Sequence, residues 1–582
     1  MSGYGFGPGS AAPASGLPWH PSPAVILPYR LALESPVRSL VLAIDIESYD
    51  EADGLAWTRV ATEGFTTGAG HDPASTAYEG RVASGLVVSR QIGGDGFGRL
   101  AGVVGRVFGA LPLINADGGL DALAERAVDG RRVVVRAGVA AEDREARRSV
   151  DISTFGRIVE TSGDAWGHGR ERLTLSLRDS LARYRTAVQS VRYAGTGGAE
   201  GPATLAGKTK PLTWGRCRTV PAVLVDAGRQ IYQVHDGAIH ALDAVYDRGI
   251  ELEVTAEIAG GYTALVAASV PAGEVTAALD AGMFRLGSPP AGAVTADLRG
   301  GLLNDIIVYI EPWDDGDLWD DFNGWSDTAE GPGYVETVGQ IMLAAVMRTG
   351  RFGLDVIDGT SLDELDRVQP APVGIHIPSA GESPSLEDVL GQLALGVGAV
   401  IGPDRLGRTQ ALRIDGPRST TPVVLTDAAI VDIRRVDLAY GVPPLGWSIL
   451  CRRNWAGAAR DSDLAAGVSD ERRAELLQPG LTAVAEDNAR IVRHPTAKLA
   501  GVVQGHFAEL ADAEAEAERL IGLYAPGRIM LEVIVKYLGS FTLGRTVEIR
   551  HGRYGLAEGR RFVVVGIREE YGANRTTLRL FG

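Results

Sequence analysis

Between residues 193 and 297, glycines, prolines and aromatic side chains recur every few residues, separated by short apolar and β-branched runs. This spacing is the strongest constraint on the fold. Turn-forming residues at such density leave room for short strands and loops, and they interrupt long helices. We therefore predict a β-rich module in this stretch, built to present shaped surfaces. No residue pattern in it marks a catalytic pocket.

The length and charge of the chain limit its organisation and its partners. A chain of 582 residues is too long for one hydrophobic core, so we expect about three to five domains. The 57 basic and 73 acidic residues give a net charge of −16. A protein this acidic is not expected to hold nucleic acid by neutralising phosphates, since that requires a basic face. Its surface could still line a passage through which DNA slides.

The two cysteines, Cys217 and Cys451, lie in segments that we assign to different domains. This placement predicts two buried free thiols in preference to a structural disulfide. Nowhere do 18 apolar residues follow one another, so we expect no membrane insertion. The N-terminus does not combine a basic start with an apolar core, so we expect no secretory signal.

The first 24 residues are mostly Gly, Pro, Ala and Ser, with three aromatic side chains, Tyr4, Phe6 and Trp19. A segment of this composition cannot bury enough apolar surface to fold by itself, so we predict an extended N-terminal arm. In an assembly the arm could lie across a neighbouring subunit. Its three aromatic residues are then candidate subunit contacts.

Hydrophobic periodicity predicts the other elements. Leucine alternates with polar residues at 172–177, which predicts a strand with one buried face and one solvent-exposed face. We predict that this strand pairs with 155–160 in a hairpin, across a Gly-rich turn at 162–169. Ser383 is the predicted N-cap of a helix with Pro384 at its first position. Further strands are predicted at 40–46, 84–92, 131–139, 399–402, 410–414, 447–451, 530–535, 546–550, 561–567 and 576–581, helices at 120–128, 178–188, 334–348, 384–395 and 511–523, and a loop with a surface helix at 456–490.

Metal-binding patterns find little support in the sequence. The nine histidines do not cluster, and His235 and His240 lack the spacing of zinc ligands. We interpret His235 as a loop histidine that hydrogen-bonds to the backbone. The acidic run at 314–321 is dense in carboxylates but does not fit a calcium-binding loop. A solvated acidic loop is favoured there, and calcium binding stays open.

Aromatic side chains accompany that acidic run, at Trp313, Trp319, Phe322 and Trp325. Aromatic residues in an acidic loop indicate a contact surface, either for another subunit or for a sugar ring. We favour subunit contact. These four residues join those of the N-terminal arm as candidate subunit contacts.

Catalytic and cofactor motifs are missing from the sequence. Residues 201–209 approach a phosphate-binding loop, but too many residues separate Gly201 from Gly207, and Pro202 removes a backbone donor. We predict a solvated basic loop there and a flexible loop or bulge at 93–98. No catalytic, cofactor-binding or metal-binding residue is predicted, and the chain is not expected to be an enzyme. A carboxylate pair for glycoside hydrolysis stays open, since nothing singles one out among the 73 acidic residues.

Three stretches resemble the baseplate hub or tail-tip proteins of tailed bacteriophages. They are 115–139, with a turn, a short helix and the run Arg-Arg-Val-Val-Val-Arg; 193–297, with the run Pro-Ala-Val-Leu-Val-Asp; and 543–567, which ends in Arg-Phe-Val-Val-Val-Gly-Ile. The helix at 511–523 and the helix-hairpin at 384–414 also fit this family. Its members occur in long-tailed phages, prophages and phage-like gene transfer particles.

The resemblance implies a homotrimer in which each subunit contributes two related β-domains. Three subunits then form a pseudo-sixfold ring that adapts the hexameric tail tube to the trimeric tip. The implied fold is mainly β with α+β elements, in several domains. They are an extended arm at 1–24, a first hub or tube-like domain at 25–200, a β-rich inserted module at 201–300, an α+β middle domain at 301–430 and a second hub or tube-like domain at 431–582.

The implied partners are a distal tail protein or the tail tube above and a central tip or fibre protein below. The implied location is the virion, at the tail tip or baseplate, after synthesis in the bacterial cytoplasm. Phage DNA would pass without specific binding, and no cofactor is implied.

Two other functions compete with the structural hub. One is a receptor-binding or carbohydrate-binding tail protein that uses 193–330 and its tryptophans. The other is a cell-wall hydrolase at the tail tip, for which no recognisable catalytic motif is present. A trimer that ignores glycans favours the hub, whereas a monomer that binds cell-surface polysaccharide favours the receptor function.

Overall fold

The computed structural model describes residues 40–94, 99–141, 149–150, 155–303, 333–418, 421–438, 440–536 and 541–582. Within these residues, strands outnumber helices and assemble into several multi-stranded sheets. The predicted mainly β, multidomain fold is therefore confirmed. The pseudo-sixfold ring and the domain boundaries stay predictions.

The N-terminal sheet is built on a strand that is buried on both faces. Leu42, Ile44 and Ile46 enter one core cluster. Val41 and Ala43 alternate with them and enter another. Its strands are β1 (Leu40–Asp50), β2 (Gly54–Ala61), β3 (Phe65–Thr66), β4 (Ala77–Gly80), β7 (Leu111–Ile114), β8 (Arg132–Ala141), β9 (Ser149–Val150), β10 (Gly156–His168) and β11 (Arg172–Arg178), in the spatial order β3–β4–β2–β1–β8–β10–β11–β7 with β9 beside β8.

The predicted Gly-rich turn at 162–169 is wrong, because most of it is strand. β10 continues to His168, which pairs with Leu173 of β11. Gly163 serves close packing instead of a turn, since a Cβ atom there would lie 2.6 Å from the carbonyl oxygen of Val128. The hairpin itself is confirmed, with a shorter connection than predicted.

Two predicted helices of the N-terminal region are too long. The helix expected at 120–128 is one turn, α1 (Asp121–Ala124). The helix expected at 178–188 is a 3₁₀ segment at Ser180–Tyr184, and the side chain of Asp179 caps it by accepting a hydrogen bond from the amide of Leu181.

The middle sheet contains the stretch with which the sequence analysis began, and the β-rich prediction for it is confirmed. Neighbouring strands run antiparallel except β16 and β17, which are parallel. The strands are β12 (Leu212–Pro221), β13 (Val223–Asp226), β14 (Ile231–Gln233), β15 (Ile239–Asp247), β16 (Ile250–Glu257), β17 (Glu274–Ala278), β18 (Met283–Leu286), β19 (Val294–Leu303), β20 (Gly333–Tyr334) and β21 (Gly374–Ile377), in the order β13–β14–β18–β17–β16–β15–β19–β12–β21 with β20 beside β19.

A composite sheet draws its strands from both ends of the chain. They are β5 (Val87–Gly94), β6 (Leu100–Phe108), β22 (Ala399–Pro403), β23 (Thr409–Arg413), β24 (Val423–Thr426), β25 (Ile430–Val436), β29 (Met530–Val535), β30 (Thr546–His551), β31 (Leu556–Glu570) and β32 (Arg575–Phe581). The order is β23–β22–β6–β5–β31–β32–β29–β25, and β30 joins β24 to β31. The strands predicted from 399 onward in this sheet are confirmed.

A small sheet of three strands, β26 (Gly446–Arg452), β27 (Gly480–Glu486) and β28 (Leu499–Gly505), lies in the chain order between β25 and β29 of the composite sheet. β27 corrects the prediction of only a loop and a surface helix at 456–490. Its buried positions are Gly480, Ala483 and Ala485, whose small side chains give a weak alternation signal. The surface helix exists as α6 (Asp470–Leu476).

The helix predicted at 384–395 starts later and has a different cap. α5 (Leu386–Gly396) is capped by Ser385, which exchanges hydrogen bonds with Asp388 in a capping box. Ser383, the predicted cap, instead accepts a hydrogen bond from the backbone of Gln189 at 2.9 Å. The other helices are α2 (Gly261–Ala267), α3 (Val338–Arg348), α4 (Gly359–Val368), α7 (Arg490–Arg493) and α8 (Leu510–Leu523).

The largest hydrophobic cluster spans several of these units. It joins the composite sheet to the inner face of the small sheet and to helices α3, α5 and α8. Trp447 of β26 and Tyr524 just after α8 are buried within it, with ring centres 5.3 Å apart. No helix in the described residues is long and apolar enough to cross a membrane.

Candidate assembly surfaces

The sequence-predicted contact residues lie outside the described part of the chain. This holds for the aromatic residues of the N-terminal arm and for those of the acidic run, so both predictions stay predictions. The residues concerned are Tyr4, Phe6, Trp19, Trp313, Trp319, Phe322 and Trp325.

The loop that approaches a phosphate-binding motif has a structural role at its last residue. Thr209 is buried, and its hydroxyl donates to the side chain of Gln189 at 3.2 Å and accepts from the amide of Ala380 at 3.1 Å. Its hydroxyl is therefore engaged in packing the loop against the rest of the fold. Lys208 is exposed, as expected for a solvated basic loop. Among the described residues, no group of His, Cys, Asp and Glu has the arrangement of a metal site.

Two predictions about buried side chains are confirmed. Cys217 and Cys451 are both free and buried, and burial raises the pKa of each thiol. His235 is buried and its Nδ1 accepts a hydrogen bond from the backbone amide of Thr213 at 2.9 Å. These groups therefore belong to the interior and present no reactive surface.

Buried histidines form a cluster where the middle and small sheets meet. The hydroxyl of Thr213 lies 2.9 Å from Nδ1 of His376, and Trp455 lies between the rings of His376 and His506. Burial, with a contribution from Arg348, lowers the pKa of His235 to about 3. Burial, with a contribution from Arg452, lowers the pKa of His376 to about 3 and that of His506 to about 4. All three are neutral in the folded protein near neutral pH.

The N-terminal and composite sheets are joined by a tight backbone crossing. A Cβ atom on Gly85 would lie 2.0 Å from the amide nitrogen of Gly572, so the two backbones can meet only because residue 85 has no side chain. The amide of Tyr571 donates to the carbonyl of Leu86 at 3.0 Å beside this crossing. Leu86, Val88 and Tyr571 then enter the core of the N-terminal sheet.

The turn between β22 and β23 fastens the same joint. The carbonyl of Arg405 accepts a hydrogen bond from the amide of Glu160 in the N-terminal sheet at 2.9 Å. The guanidinium of Arg405 donates to the carbonyl of Phe541 at 3.2 Å and pairs with the buried carboxylate of Glu569 in β31. Arg405 thereby links β10 of the N-terminal sheet, the residue Phe541 and β31 of the composite sheet.

The hairpin formed by β1 and β2 carries apolar and acidic side chains at its turn. We call residues 47–57 the hairpin tip; there Tyr49 faces Leu55 and Glu47 faces Trp57 across β1 and β2. Leu55 is 59% exposed and Trp57 is 38% exposed. Arg131 lies over the ring of Tyr49, 5.3 Å from its centre. Large apolar side chains on an exposed ribbon are typical of a contact surface.

A second exposed apolar surface covers the outer face of the small sheet. Val484 and Val502 lie on either side of Ser448 in adjacent strands, and all three point to the same face. The valines are 50% and 47% exposed, while Ser448 is buried between them. Leu499 extends the apolar area along β28. We call this surface the outer face of the small sheet.

Residues beyond that face add basic and apolar groups. In the loop that contains α7, Ile491 and Val492 are exposed together with Arg493 and Lys498. A cavity of about 290 Å³ opens nearby, and Tyr440, Val442, Pro444 and residues 496–498 and 500–501 line it. The arrangement offers binding area and charge, and it holds no catalytic constellation.

Sequence reasoning missed both of these surfaces. The signal for the hairpin tip was the alternation of Leu55 and Trp57 beside the acidic turn at 50–53. Alternation shows that two residues share a face, but it does not show whether that face is covered. The signal for the outer face was weaker still, since its strand β27 was not predicted.

No protein-family model and no curated protein matches the chain. Among solved structures, the chain is similar to the 43 kDa tail protein of prophage MuSo2 from Shewanella oneidensis, with a TM-score of 0.36 and 12% sequence identity over 94% of this chain and 98% of that one. It is also similar to a tail protein from Neisseria meningitidis, with a TM-score of 0.30 and 10% identity over 86% and 97% of the two chains. A prophage tail protein from Listeria monocytogenes gives a TM-score of 0.25 and 13% identity over 64% and 87%.

Proposed function

We propose that this chain is a structural tail protein of a bacteriophage or phage-like particle, and that its place in the tail is the baseplate hub at the tip. Three copies would close into a pseudo-sixfold ring that joins the hexameric tube to the trimeric tip. The proposal is supported by the resemblance of three stretches of the sequence to hub proteins. It is also supported by a mainly β fold in which strands from both ends of the chain meet in one composite sheet.

The single observation that carries the proposal is the joint between the two ends of the chain. Residues 87–91 of β5 pair with residues 566–570 of β31. The N-terminal sheet shares a core with this composite sheet through Leu86, Val88 and Tyr571. Two β-units of one subunit are thus held side by side, as a subunit needs if it fills two neighbouring positions of a ring.

The charge of the chain supports a passage for DNA through such a ring. A net charge of −16 repels a polyanion, so DNA would move through the lumen without being gripped. The partners that follow from this position are the tail tube or a distal tail protein on one side and a central tip or fibre protein on the other. No cofactor takes part.

The test is the assembly state of the purified full chain. We expect a trimer by analytical ultracentrifugation and a ring with six similar lobes in averaged electron micrographs. Purified tail tubes should bind the trimer at one end only. A chain that stays monomeric at micromolar concentration, or a monomer that binds cell-surface polysaccharide on a glycan array, would overturn the proposal and favour receptor binding.

A further inference from the structure

We infer that residues 25–31 of one copy of this chain add as an antiparallel strand to the uncovered edge of β2 in a second copy. The inference rests on the proposed self-assembly and names a contact that makes it. The acceptor is the hairpin of β1 and β2. The added segment belongs to residues 1–39, which precede β1 and lie outside the described part of the chain.

One edge of β2 has no strand beside it over most of its length. All eight residues of β2 pair with β1, whereas β4 covers the other edge only at Val60 and Ala61. Within the part of the chain that the structure describes, no strand or isolated bridge meets residues 54–59 on that side. We call residues 54–59 the free edge of β2. Such an edge offers backbone donors and acceptors to an extended segment of matching sequence.

The hydrogen bonds of β1 show which residues of the free edge direct their backbone groups outward. Tyr49 exchanges two hydrogen bonds of 2.9 Å with Ala127, so its amide and carbonyl point away from β2. In an antiparallel pair, the residue opposite such a position also points outward, and the direction alternates along the strand. Tyr49 lies opposite Leu55. The outward amides of the free edge are therefore those of Leu55, Trp57 and Arg59.

The side chains of the free edge determine what an added strand must carry. Leu55 and Trp57 share an exposed face of the hairpin, to which Tyr49 adds its ring. A strand that hydrogen-bonds to the outward groups places its own bonded residues directly opposite them, with their side chains on the same face. The matching segment therefore needs apolar side chains at every second position, and an amide at each of those positions.

Residues 25–31, with the sequence Val-Ile-Leu-Pro-Tyr-Arg-Leu, meet both requirements. Pro28 has no amide hydrogen, and it falls between the bonded positions, where proline is tolerated in an edge strand. A shift of the register by one residue would turn Pro28 and Arg30 towards the free edge and remove a hydrogen bond. The bonded positions are all apolar and all have an amide: Val25, Leu27, Tyr29 and Leu31.

Charge selects the antiparallel direction. Arg30 is the only charged side chain in the first 33 residues. In the antiparallel direction it lies beside the turn of the hairpin tip, which carries three carboxylates. Arg126 pairs with one of them, Asp53, at 3.2 Å, while Glu51 is exposed and forms no ion pair with a described residue. The parallel direction would instead carry Arg30 past Arg59 to the part of the edge that β4 already covers.

The same direction requires a second copy. The antiparallel strand ends level with the hairpin turn, whereas β1 of the same chain begins at Leu40, about 34 Å away along the hairpin. About ten residues join Arg30 to Leu40, and they span that distance only when fully straight. The chain would also have to reverse its direction at both ends. Its own segment therefore cannot take this position.

The contact is heterologous, because the segment and the free edge are different parts of the chain. Each copy gives its segment to one neighbour and accepts a segment from another, so the contact closes a ring when the rotation between copies permits it. In the proposed trimer, the contact would be made three times.

Aspartate substitutions on the two faces of the segment test the inference. Leu27→Asp places a charge on the face that packs beside Trp57. It should lower the association constant of the full chain, measured by sedimentation, by at least about 10-fold, the effect of removing an apolar anchor. Ile26→Asp is the matched control, because that side chain lies on the opposite face, and it should leave association nearly unchanged. Circular dichroism establishes that both variants are folded.

A synthetic peptide gives a measurement that does not depend on the trimer. The peptide of residues 22–34 should bind the full-length Leu27→Asp chain, whose own segment no longer competes, in a one-to-one ratio by isothermal titration calorimetry. The peptide carrying Ile26→Asp should bind equally well, and the peptide carrying Leu27→Asp should not bind. Adding Trp57→Ser to the full-length chain should lower the affinity by about 10-fold or more.

Disulfide cross-linking identifies the copy that supplies the segment. Leu55→Cys and Tyr29→Cys, made in separate chains and mixed with oxidised glutathione, should give a linked pair of chains. Leu55→Cys mixed with Arg30→Cys is the control and should link poorly. Cys217 and Cys451 are buried and do not compete. A link that forms only when both new cysteines are in the same chain would overturn the inference.

The outcomes separate this inference from the proposed function. If the wild-type chain forms a trimer and Leu27→Asp does so equally well, the strand addition is wrong while the trimer stands. If Ile26→Asp weakens association as much as Leu27→Asp does, the segment acts through another contact and the inference is overturned. If the peptide binds as expected but the wild-type chain stays monomeric, the strand addition stands while the proposed trimer falls.

Discussion

At the scale of single residues, the fold depends on close backbone contacts that only glycine permits, because any Cβ atom would overlap the neighbouring backbone. Gly85 is the sharpest case, because the backbone of residue 572 occupies the position of its missing Cβ. The contact joins sheets formed from distant parts of the sequence, so neither backbone can retreat without breaking the pairing of β5 with β31.

Gly85→Ala should therefore lower the free energy of unfolding by about 3 kcal/mol or more, the upper range for overpacking. Thermal unfolding followed by circular dichroism measures the loss. Gly522→Ala is the control: that glycine is an exposed residue of α8 with open space around it, so alanine should be neutral or should stabilise by up to about 1 kcal/mol. Equal melting temperatures for the two variants would contradict the role of the crossing.

The buried histidines make stability depend on mild acid. Their pKa values in the folded chain, about 3 for His235 and His376 and about 4 for His506, lie below the ordinary 6.5. The unfolded chain takes up protons as pH falls through 6.5, while the folded chain does not. The free energy of unfolding is therefore unaffected by these histidines above pH 6.5 and decreases as pH falls from 6.5 towards 4. At pH 5 the decrease is about 2 kcal/mol for each histidine.

Melting temperatures between pH 7.5 and 4.5 measure this dependence. His376→Gln should flatten the slope, even if it lowers the melting temperature at pH 7.5. Asp366 has the opposite effect on the pH dependence of the free energy of unfolding. Burial raises its pKa to about 6, so its contribution to stability is present at low pH and is lost as pH rises through 6. An unchanged slope in His376→Gln would show that the histidine cluster does not control the acid response.

At the scale of elements, the buried side chain of Arg490 caps the C-terminal end of α8, where Arg528 also donates to the carbonyl of Leu523 at 3.0 Å. Arg490 donates to the carbonyl of Ile521 at 2.5 Å and to that of Tyr524 at 3.3 Å, two groups that a helix end leaves without partners. It also donates to the carbonyl of Pro444 at 2.7 Å, which ties the entry to β26 to the same point. A cation at a helix C-terminus is favoured by the helix dipole as well.

Arg490→Met should cost about 3 kcal/mol, because it leaves buried carbonyls unsatisfied while it keeps most of the apolar volume. Denaturant unfolding measures the change. Arg490→Lys should recover only part of the loss, since one ammonium cannot reach all three carbonyls. Arg493→Met, on the same short helix but exposed, should change the unfolding free energy by less than about 0.5 kcal/mol. Equal effects at the two positions would refute the capping role.

Elements with a strong local pattern could be predicted from the sequence. The valine run in β31 and the alternation in β11 gave strands that the structure contains. β27 was missed because alanine supplies its buried face, and the turn at 162–169 was misplaced because Gly163 serves packing and not reversal of the chain. Glycine has both uses, and only the surroundings distinguish them.

The candidate surfaces were less predictable than the strands. Leu55 and Trp57 share a face in the sequence pattern, but their exposure depends on what the rest of the chain leaves uncovered. The pairing of β5 with β31 was also out of reach, because the two strands lie at opposite ends of the chain and neither carries a local mark of its partner.

At the scale of the whole molecule, assembly and folding should be separable. Deleting residues 1–24 should weaken assembly more than it weakens folding of the isolated chain, because the composition of that segment is typical of an arm that gains order only on a neighbour. Sedimentation gives the association constant and thermal unfolding gives the stability. Replacement of the segment by a Gly/Ser linker of equal length is the control for chain length. Loss of both properties in equal measure would contradict the prediction.

The composite sheet has a consequence for how the protein is made. β5 and β6 leave the ribosome long before residue 556 is synthesised, so β5 must wait for its neighbour β31 through most of translation. During that interval one strand edge is unpaired and can capture another nascent chain. A product that stops short of residue 556 is therefore expected to aggregate, and bacterial chaperones that shield such edges should raise the yield of the full-length chain.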